Sequence, residues 1–344
     1  MTPQKIDLKT ASDTELLPLH EFWLAIRAEL LPDDPPIPWS ERSKGWREPP
    51  PALERRVYII KNNQEVIGLA DADWRSDDLE NPESGWLDLY VAPSHYQQGL
   101  GTKLLRTMLE DIYAHGRRKL FAVTTNIHAG GQPFAEKIGA KFGQEEHANQ
   151  LLFSEMNHEY IKRSLENAPT DKYELVWYEN TYTDDETELQ KICDAFAIMN
   201  TAPRGDLEFN DWVMTPKKLR EEAEENQKQD RQWWLCLAKN LETGVYDGFT
   251  ETGWHPNRPK IAVQYGTGVD PKARGHGLGA WLKAAMIQKM LLERPSVDRI
   301  RTGNADSNAP MLKINHTLGF KPFIARAEWQ IDVAKTLEIL RARV

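Results

Sequence analysis

The sequence predicts an α+β fold present twice in tandem. Two observations carry this. A strand-length apolar run leads into a glycine-rich turn and then an amphipathic stretch at two places: Val91 precedes Tyr96–Gly101, and Val269 precedes Arg274–Gly279. The corresponding glycines, Gly99 and Gly277, lie 178 residues apart, and the elements around them recur in the same order. A chain of 344 residues has room for about two domains of ~150 residues each.

Each element has a local cause. Ser12-Asp13-Thr14-Glu15 and Thr183-Asp184-Asp185-Glu186 read as capping boxes opening helices through Leu16–Leu30 and Leu189–Met199. Val57–Ile60 and Trp234–Leu237 are apolar runs of strand length, followed by the turn signals Asn62-Asn63 and Thr243-Gly244. Trp86–Val91 and Ile261–Val269 read as the next strands, ended by Pro93 and Pro271. After the glycine turns, Leu104, Leu105, Met108, Leu109 and Ile112 form a helical stripe, matched by Leu278, Leu282, Ala285 and Met286. Leu120–Thr124 and Arg299–Thr302 read as strands leading to Asn126 and Asn304, and short helices precede Ile138-Gly139-Ala140 and Leu318-Gly319-Phe320. Each half closes with a strand and a helix, His158–Asn167 and Ala334–Arg343. The polar, Pro-containing stretch Ala168-Pro169-Thr170-Asp171 places the boundary, giving domains 1–168 and 169–344. Thr215 and Pro216 open a further helix, whose charged run Glu221–Gln229 reads as a solvated face.

Composition excludes several classes. A net charge of −9 argues against a nucleic-acid partner, which calls for a basic face. Cys193 and Cys236 are the only cysteines, so no disulfide framework is implied and a cytoplasmic location fits. The sequence shows no signal-peptide apolar region and no run near the ~20 residues needed to span a bilayer, so no membrane partner is expected. His95, His115, His128, His147, His255 and His316 lack metal-ligand spacing, and no metal is implied. A monomer or a homodimer is compatible with two fused copies.

The glycine turns bear the chemistry. A strand, a Gly-rich turn and a helix N-terminus make an anion cradle, because the first helical N–H groups lack intrahelical partners and the dipole favours negative charge. Neither turn is a P-loop, which needs Gly-x-x-x-x-Gly-Lys-Ser/Thr. Nor is the second turn read as a dinucleotide fingerprint, since counted from Gly277-x-Gly279 the place of the third glycine holds Leu282. What remains is Arg/Gln-x-x-Gly-x-Gly/Ala, met at every defined position by Arg274-Gly275-His276-Gly277-Leu278-Gly279. With Asn304, Asn308, Asn315 and Leu318-Gly319-Phe320 following in order, the chain resembles a tandem member of the GCN5-related N-acetyltransferase (GNAT) superfamily, over roughly residues 8–156 and 174–332. Its two-domain arrangement is similar to that of the mycothiol synthases.

The resemblance implies, in each half, a mixed, mostly antiparallel sheet with a splayed parallel pair, flanked by helices. It also implies acetyl-CoA as cosubstrate. The backbone from Arg274 through His276 to Ala280 would take the pyrophosphate, Arg274 would add charge-assisted hydrogen bonds, the Val269 backbone would orient the thioester carbonyl, and Asn308, with Asn304 and Asn315 nearby, would meet the pantetheine arm. The first-half counterparts are Val91, Gln97, Gln98, Gly99, Leu100, Gly101 and Thr102, with Tyr96 in place of the motif's Arg or Gln and His128 in place of Asn308. Leu87 and Leu89 precede Val91 on the face the family turns to the acceptor, where the second half has Tyr265 and Thr267. The second half is therefore expected to catalyse and the first to be degenerate, while still able to bind CoA.

The reaction expected is direct attack of a primary amine on the thioester. An alkyl ammonium of pKa near 10.4 carries about 3.4 units of protonation cost at pH 7, on the order of 4.6 kcal/mol, so a base would help. Glu251 and Tyr265 are the candidates. The family's usual tyrosine acid has Asn315 in its place here, and an amide cannot protonate a thiolate. A small-molecule amine is the leading acceptor. A protein or peptide acceptor, and an acyl-CoA-binding module without catalysis, are the alternatives. The acceptor walls are expected in Pro32–Pro51 and Ala202–Trp212.

Overall fold

The computed structural model describes residues 1–342; Arg343, the last residue of the predicted closing helix, and Val344 lie outside the described residues. The first half runs β1 (Gln4–Ile6), α1 (Asp13–Leu30), α2 (Trp39–Arg47), β2 (Leu53–Asn62), β3 (Glu65–Arg75), β4 (Ser84–Val91), α3 (Leu100–Ala114), β5 (Lys119–Thr125), α4 (Gly131–Lys137), β6 (Lys141–Leu152) and α5 (His158–Glu166). The second runs β7 (Tyr173–Glu179), α6 (Glu186–Phe196), α7 (Pro216–Lys228), β8 (Gln232–Asn240), β9 (Tyr246–Trp254), β10 (Ile261–Val269), α8 (Leu278–Glu293), β11 (Arg299–Ala305), α9 (Ala309–Leu318), β12 (Lys321–Asp332) and α10 (Val333–Arg341).

The Ser12 capping box forms as its sequence predicts, with the Ser12 backbone N–H donating to Glu15 at 2.9 Å. The second helix starts differently. Asp185, rather than Thr183, is the N-cap of α6 and accepts from the Thr187 N–H, because the Asp carboxylate outcompetes the hydroxyl two residues earlier. Thr215 caps α7 with Pro216 at its first position, as expected. The Pro32–Pro51 segment, expected as loop, holds α2, whose Trp46 is buried.

The compact units do not follow a cut at residue 168. Among the described residues, one consists of 1–144, 205–210 and the stretch from 326 onward; the other of 145–204 and 211–325. In the first unit β12 pairs antiparallel with β5, from Arg326↔Thr125 to Asp332↔Lys119, and Leu337 and Leu340 of α10 pack into the α3 core. In the second, β6 pairs antiparallel with β11, from Arg299↔Leu152 to Ala305↔Glu146, and Ile161 of α5 packs into the α8 core. Each unit is thus completed by the other half's closing strand and helix. A local turn signal such as Pro169 marks where the chain can bend, and says nothing about which sheet a strand joins.

Each unit has a mixed sheet with a core on both faces. In the first, α3 covers one face over Ile60, Ala70, Leu87 and Leu120, and α1 and α2 cover the other over Val57, Ile59 and Leu69. In the second, α8 and α5 cover one face and α6 with α7 the other. The helix-to-sheet contact recurs in detail. A Cβ on Gly68 would meet Leu104 Cδ1 at 2.9 Å, and one on Gly248 would meet Leu282 Cδ1 at 3.2 Å. In both units glycine leaves room here for a leucine of the long helix.

Candidate active site

In both units the parallel strand pair opens after three residues. β4 pairs with β5 from Ser84↔Lys119 to Trp86↔Phe121, and β10 with β11 from Ile261↔Arg299 to Val263↔Arg301. Beyond that the strands continue unpaired with each other to Val91 and Val269, and the glycine turn follows.

The two turns have one backbone shape. Gly275 and Gly277 sit at φ 84° and 81°, and Gln97 and Gly99 at φ 60° and 76°. Gln97 holds the left-handed conformation that its second-unit counterpart assigns to glycine, at a cost of roughly 1–2 kcal/mol. Nothing stands within 4 Å of where a Cβ on Gly99, Gly275 or Gly277 would be, so the turns are open to a ligand. Behind each, at the second helical position, a Cβ on Gly101 would meet Val91 Cγ2 at 3.7 Å and one on Gly279 would meet Val269 Cγ2 at 3.6 Å. No side chain caps α3 or α8, which leaves the N–H groups of Leu100, Gly101 and Thr102, and of Leu278, Gly279 and Ala280, as unspent donors.

The charged part of the motif differs. Arg274 Nε donates to the Val269 carbonyl at 3.0 Å and Nη2 to Thr201 Oγ1 at 2.6 Å, holding the guanidinium at the mouth of the turn. Tyr96 takes that place in the first unit. His276 faces the Ala273 carbonyl at 3.4 Å, and Gln98 stands opposite it in the first turn. Asn315 is wholly buried, and its Nδ2 donates to Asn304 Oδ1 at 2.6 Å, which ties α9 to the end of β11. Asn308 begins α9 with its side chain not spent on the cap.

Strand register corrects the face assignment made from sequence. β3 and β4 run without a shift from Gly68↔Val91 to Asp73↔Trp86, and Leu87 and Leu89 point into the α3 core rather than toward an acceptor. In the second unit the ladder slips between Gln264 and Thr267, with Gln264↔Thr252 and Thr267↔Thr250. This β-bulge turns Tyr265 and Thr267 to opposite faces. Thr267 faces α8 with Thr250, their hydroxyls 2.8 Å apart. Tyr265 lies over Gly253 on the other face and is 57% exposed.

The bulge lies directly across from Glu251. This half-buried glutamate is on the face of Phe249, toward α6 and α7. Burial, with Glu222 adding, pushes its carboxyl up to about 7. Tyr265 and Tyr182 are both raised, by burial first and by Glu251 second. Tyr182 also lines a cavity of about 620 Å³ with Arg220, Glu224, Gln227, Arg231 and Gln232. In the first unit the equivalent face carries acids that the sequence reading passed over. Arg55 forks onto Asp71, and Asp88, across the ladder from Asp71, and Asp73 are both pushed up to about 6, by burial and then by neighbouring carboxylates. The alternating Ala70-Asp71-Ala72-Asp73 was the signal for them.

The model of the acetyltransferase (GNAT) family matches residues 20–140. The mycothiol acetyltransferase of Saccharomonospora viridis is 26% identical over 271 residues, 75% of this chain and 76% of its own length. That of Renibacterium salmoninarum is 26% identical over 257 residues, covering 73% and 67%. A tandem GNAT protein from the clavulanic acid biosynthesis pathway shares the fold with TM-score 0.74 at 21% identity, over 96% of this chain and 98% of that one. The chain is a tandem GNAT acetyltransferase. A GCN5-related N-acetyltransferase from Sphaerobacter thermophilus has the same fold, with TM-score 0.63 at 14% identity over 96% of each chain. The GNAT fold accounts for the splayed parallel pair and for the glycine turn at its open end. Among the described residues of this GNAT protein, no group of His, Cys, Asp and Glu side chains is arranged to hold a metal ion, and no helix is long and apolar enough to cross a membrane.

Proposed function

We propose that the second unit transfers an acetyl group from acetyl-CoA to a primary amine of a small molecule, with Glu251 as the base. The observation that carries this is the bulge: on β10, the strand that leads into the Arg274–Gly279 turn, it opens the ladder to β9 beside Glu251, whose carboxyl is held near 7. The donor residues in this reading are the backbone of Val269 and of Gly275–Ala280, with Arg274 on the pyrophosphate and Asn308 at the pantetheine arm. The relatives are named for acetylation of mycothiol, a small molecule, and a cavity of about 620 Å³ is of small-molecule size, which together support a small acceptor.

The residues divide the work as follows. The turn's N–H donors hold the donor phosphates, and the splay leaves room for the thioester. Glu251 takes one proton from the ammonium, and the free amine attacks the carbonyl carbon. A C–N bond forms, the C–S bond breaks with the sulfur leaving as the CoA thiolate, and the nitrogen passes its second proton to solvent water as the adduct collapses. A base of pKa near 7 is matched to the working pH. Tyr265 is an exposed wall residue beside that base and a second proton-handling group.

A second reading makes the first unit active as well, since Asp73 and Asp88 are poised near 6 and the family match falls on residues 20–140. Release of free CoA, measured against a panel of small amines and a peptide, tests all of these. Release that depends on a small amine, and rises through about pH 7, supports the proposal. Release with peptide alone favours a protein acceptor, and acetyl-CoA binding without release leaves a binding module.

A further inference from the structure

A chain of buried polar side chains joins α8 to β10 in the second unit. Lys283, 1% exposed and in the middle of an apolar helix, donates from Nζ to Gln264 Oε1. Gln264 Nε2 donates to Thr250 Oγ1 at 2.8 Å, and Thr250 Oγ1 lies 2.8 Å from Thr267 Oγ1. The first unit supplies the control. By register from Val91 and by position in the helix, the equivalents of Lys283, Gln264, Thr250 and Thr267 are Leu105, Leu87, Ala70 and Leu89, all apolar and packed in one core. The same helix-on-sheet seam therefore forms without any polar group, and burying a lysine there is a cost to folding rather than a requirement of it.

The chain has a direction. Lys283 Nζ donates to the Gln264 oxygen, which leaves the Gln264 N–H for Thr250. The Thr250 oxygen then accepts from Gln264, and either hydroxyl of the Thr250–Thr267 pair can donate to the other across 2.8 Å. With the Thr250 proton turned to Thr267, Thr267 keeps its own O–H to donate. It is half-buried, on the α8 face, in the stretch of β10 beyond the parallel pairing and two residues before Val269. We infer that the Lys283–Gln264–Thr250 chain positions the Thr267 hydroxyl as a hydrogen-bond donor to the departing sulfur of the thioester. Thr267 keeps its proton throughout; it stabilises the thiolate as the C–S bond breaks, the part left unfilled by Asn315. Lys283, Gln264 and Thr250 are positioning residues. The inference rests on acetyl-CoA lying in the second unit's splay. Burial alone lowers the Lys283 ammonium to about 7, and on the helix, strand and ring packed about it the partners are Gln264 and Phe320, whose centroid is 5.2 Å from Nζ.

The test uses the full chain with Thr267→Val, which removes the hydroxyl at constant shape, Thr267→Ser, which keeps it, and Lys283→Met. Turnover is read as free CoA with the best small amine, and binding is read by calorimetry with acetyl-CoA, CoA and desulfo-CoA. Thr267→Val is expected to lower kcat about 100-fold with the Kd for acetyl-CoA within twofold, since one lost donor to a developing anion costs ~10²–10³. Thr267→Ser is expected to stay within about threefold, and Lys283→Met to lose about tenfold in kcat without a lower Tm. At pH 8.5 the preference for CoA over desulfo-CoA should fall about tenfold in Thr267→Val, a readout that needs no acceptor. The inference is overturned by an unchanged kcat or CoA preference in Thr267→Val, by loss of acetyl-CoA binding in that variant, or by normal turnover in Lys283→Met. If the unaltered chain binds no acetyl-CoA, the reading beneath it fails instead.

Discussion

The two units place the same long helix on the same strands, and differ in what lies between them. In the first, Leu105, Leu87, Leu89 and Ala70 fill the seam with hydrocarbon; in the second, Lys283, Gln264, Thr267 and Thr250 form a connected polar chain. The outer ladders differ as well: β3–β4 stays in register, whereas β9–β10 slips beside Glu251. The shared features, the Gly68–Leu104 and Gly248–Leu282 contacts and the left-handed turns, are what the fold needs. Polarity that one copy does without is what the proposed site adds in the other.

The largest expected effect breaks or upholds this contrast at the base. Glu251→Gln should lower kcat by about 10²–10³ at pH 8, and remove the rise through about pH 7 in kcat/KM. Asp88→Asn in the first unit should change kcat less than twofold, and a loss like that of Glu251→Gln would make the first unit the active one. The sign for stability is opposite. An acid raised by burial leaves the folded state holding more protons than the unfolded, so stability falls as pH rises from about 4.5 to about 7. Glu251→Gln should therefore raise the Tm at pH 8, seen by scanning calorimetry.

Next in size, Arg274→Ala should raise the KM for acetyl-CoA by about 10–100-fold, the worth of charge-assisted bonds, with a smaller change in kcat. Tyr96→Arg, which restores the motif's cation to the first turn, should add or tighten an acetyl-CoA site seen by calorimetry. Smaller again, Asn315→Ala removes the buried partner of half-buried Asn304 and should cost about 1–3 kcal/mol in urea unfolding. The smallest effect is Gln97→Gly, which relieves a left-handed glutamine against the entropy of a glycine, and should stabilise by no more than about 1 kcal/mol.

Much of the fold was legible because its signals are local. Apolar runs, the Ser12 box, Thr215-Pro216 and the two glycine turns each act within a few residues, and they placed β10 at Ile261–Val269 to the residue. Partner choice was not. β12 and β6 are ordinary strands in sequence, and which sheet they complete depends on long-range pairing. The site followed the same rule. The turn residues stood out by their motif, but the facing of Tyr265, Thr267, Leu87 and Leu89 hinged on a one-residue bulge that strict alternation could not foresee. Lys283 had a signal that went unread: a single charge inside Trp281-Leu282-Lys283-Ala284-Ala285-Met286-Ile287.

The most direct test is amine-dependent CoA release by two matched turn variants, Gly277→Val and Gly99→Val, each forcing a side chain onto a left-handed glycine in open space. The account predicts that Gly277→Val abolishes release while Gly99→Val leaves it within a few-fold of the unaltered chain. Loss of release in Gly99→Val, with Gly277→Val still active, would contradict it.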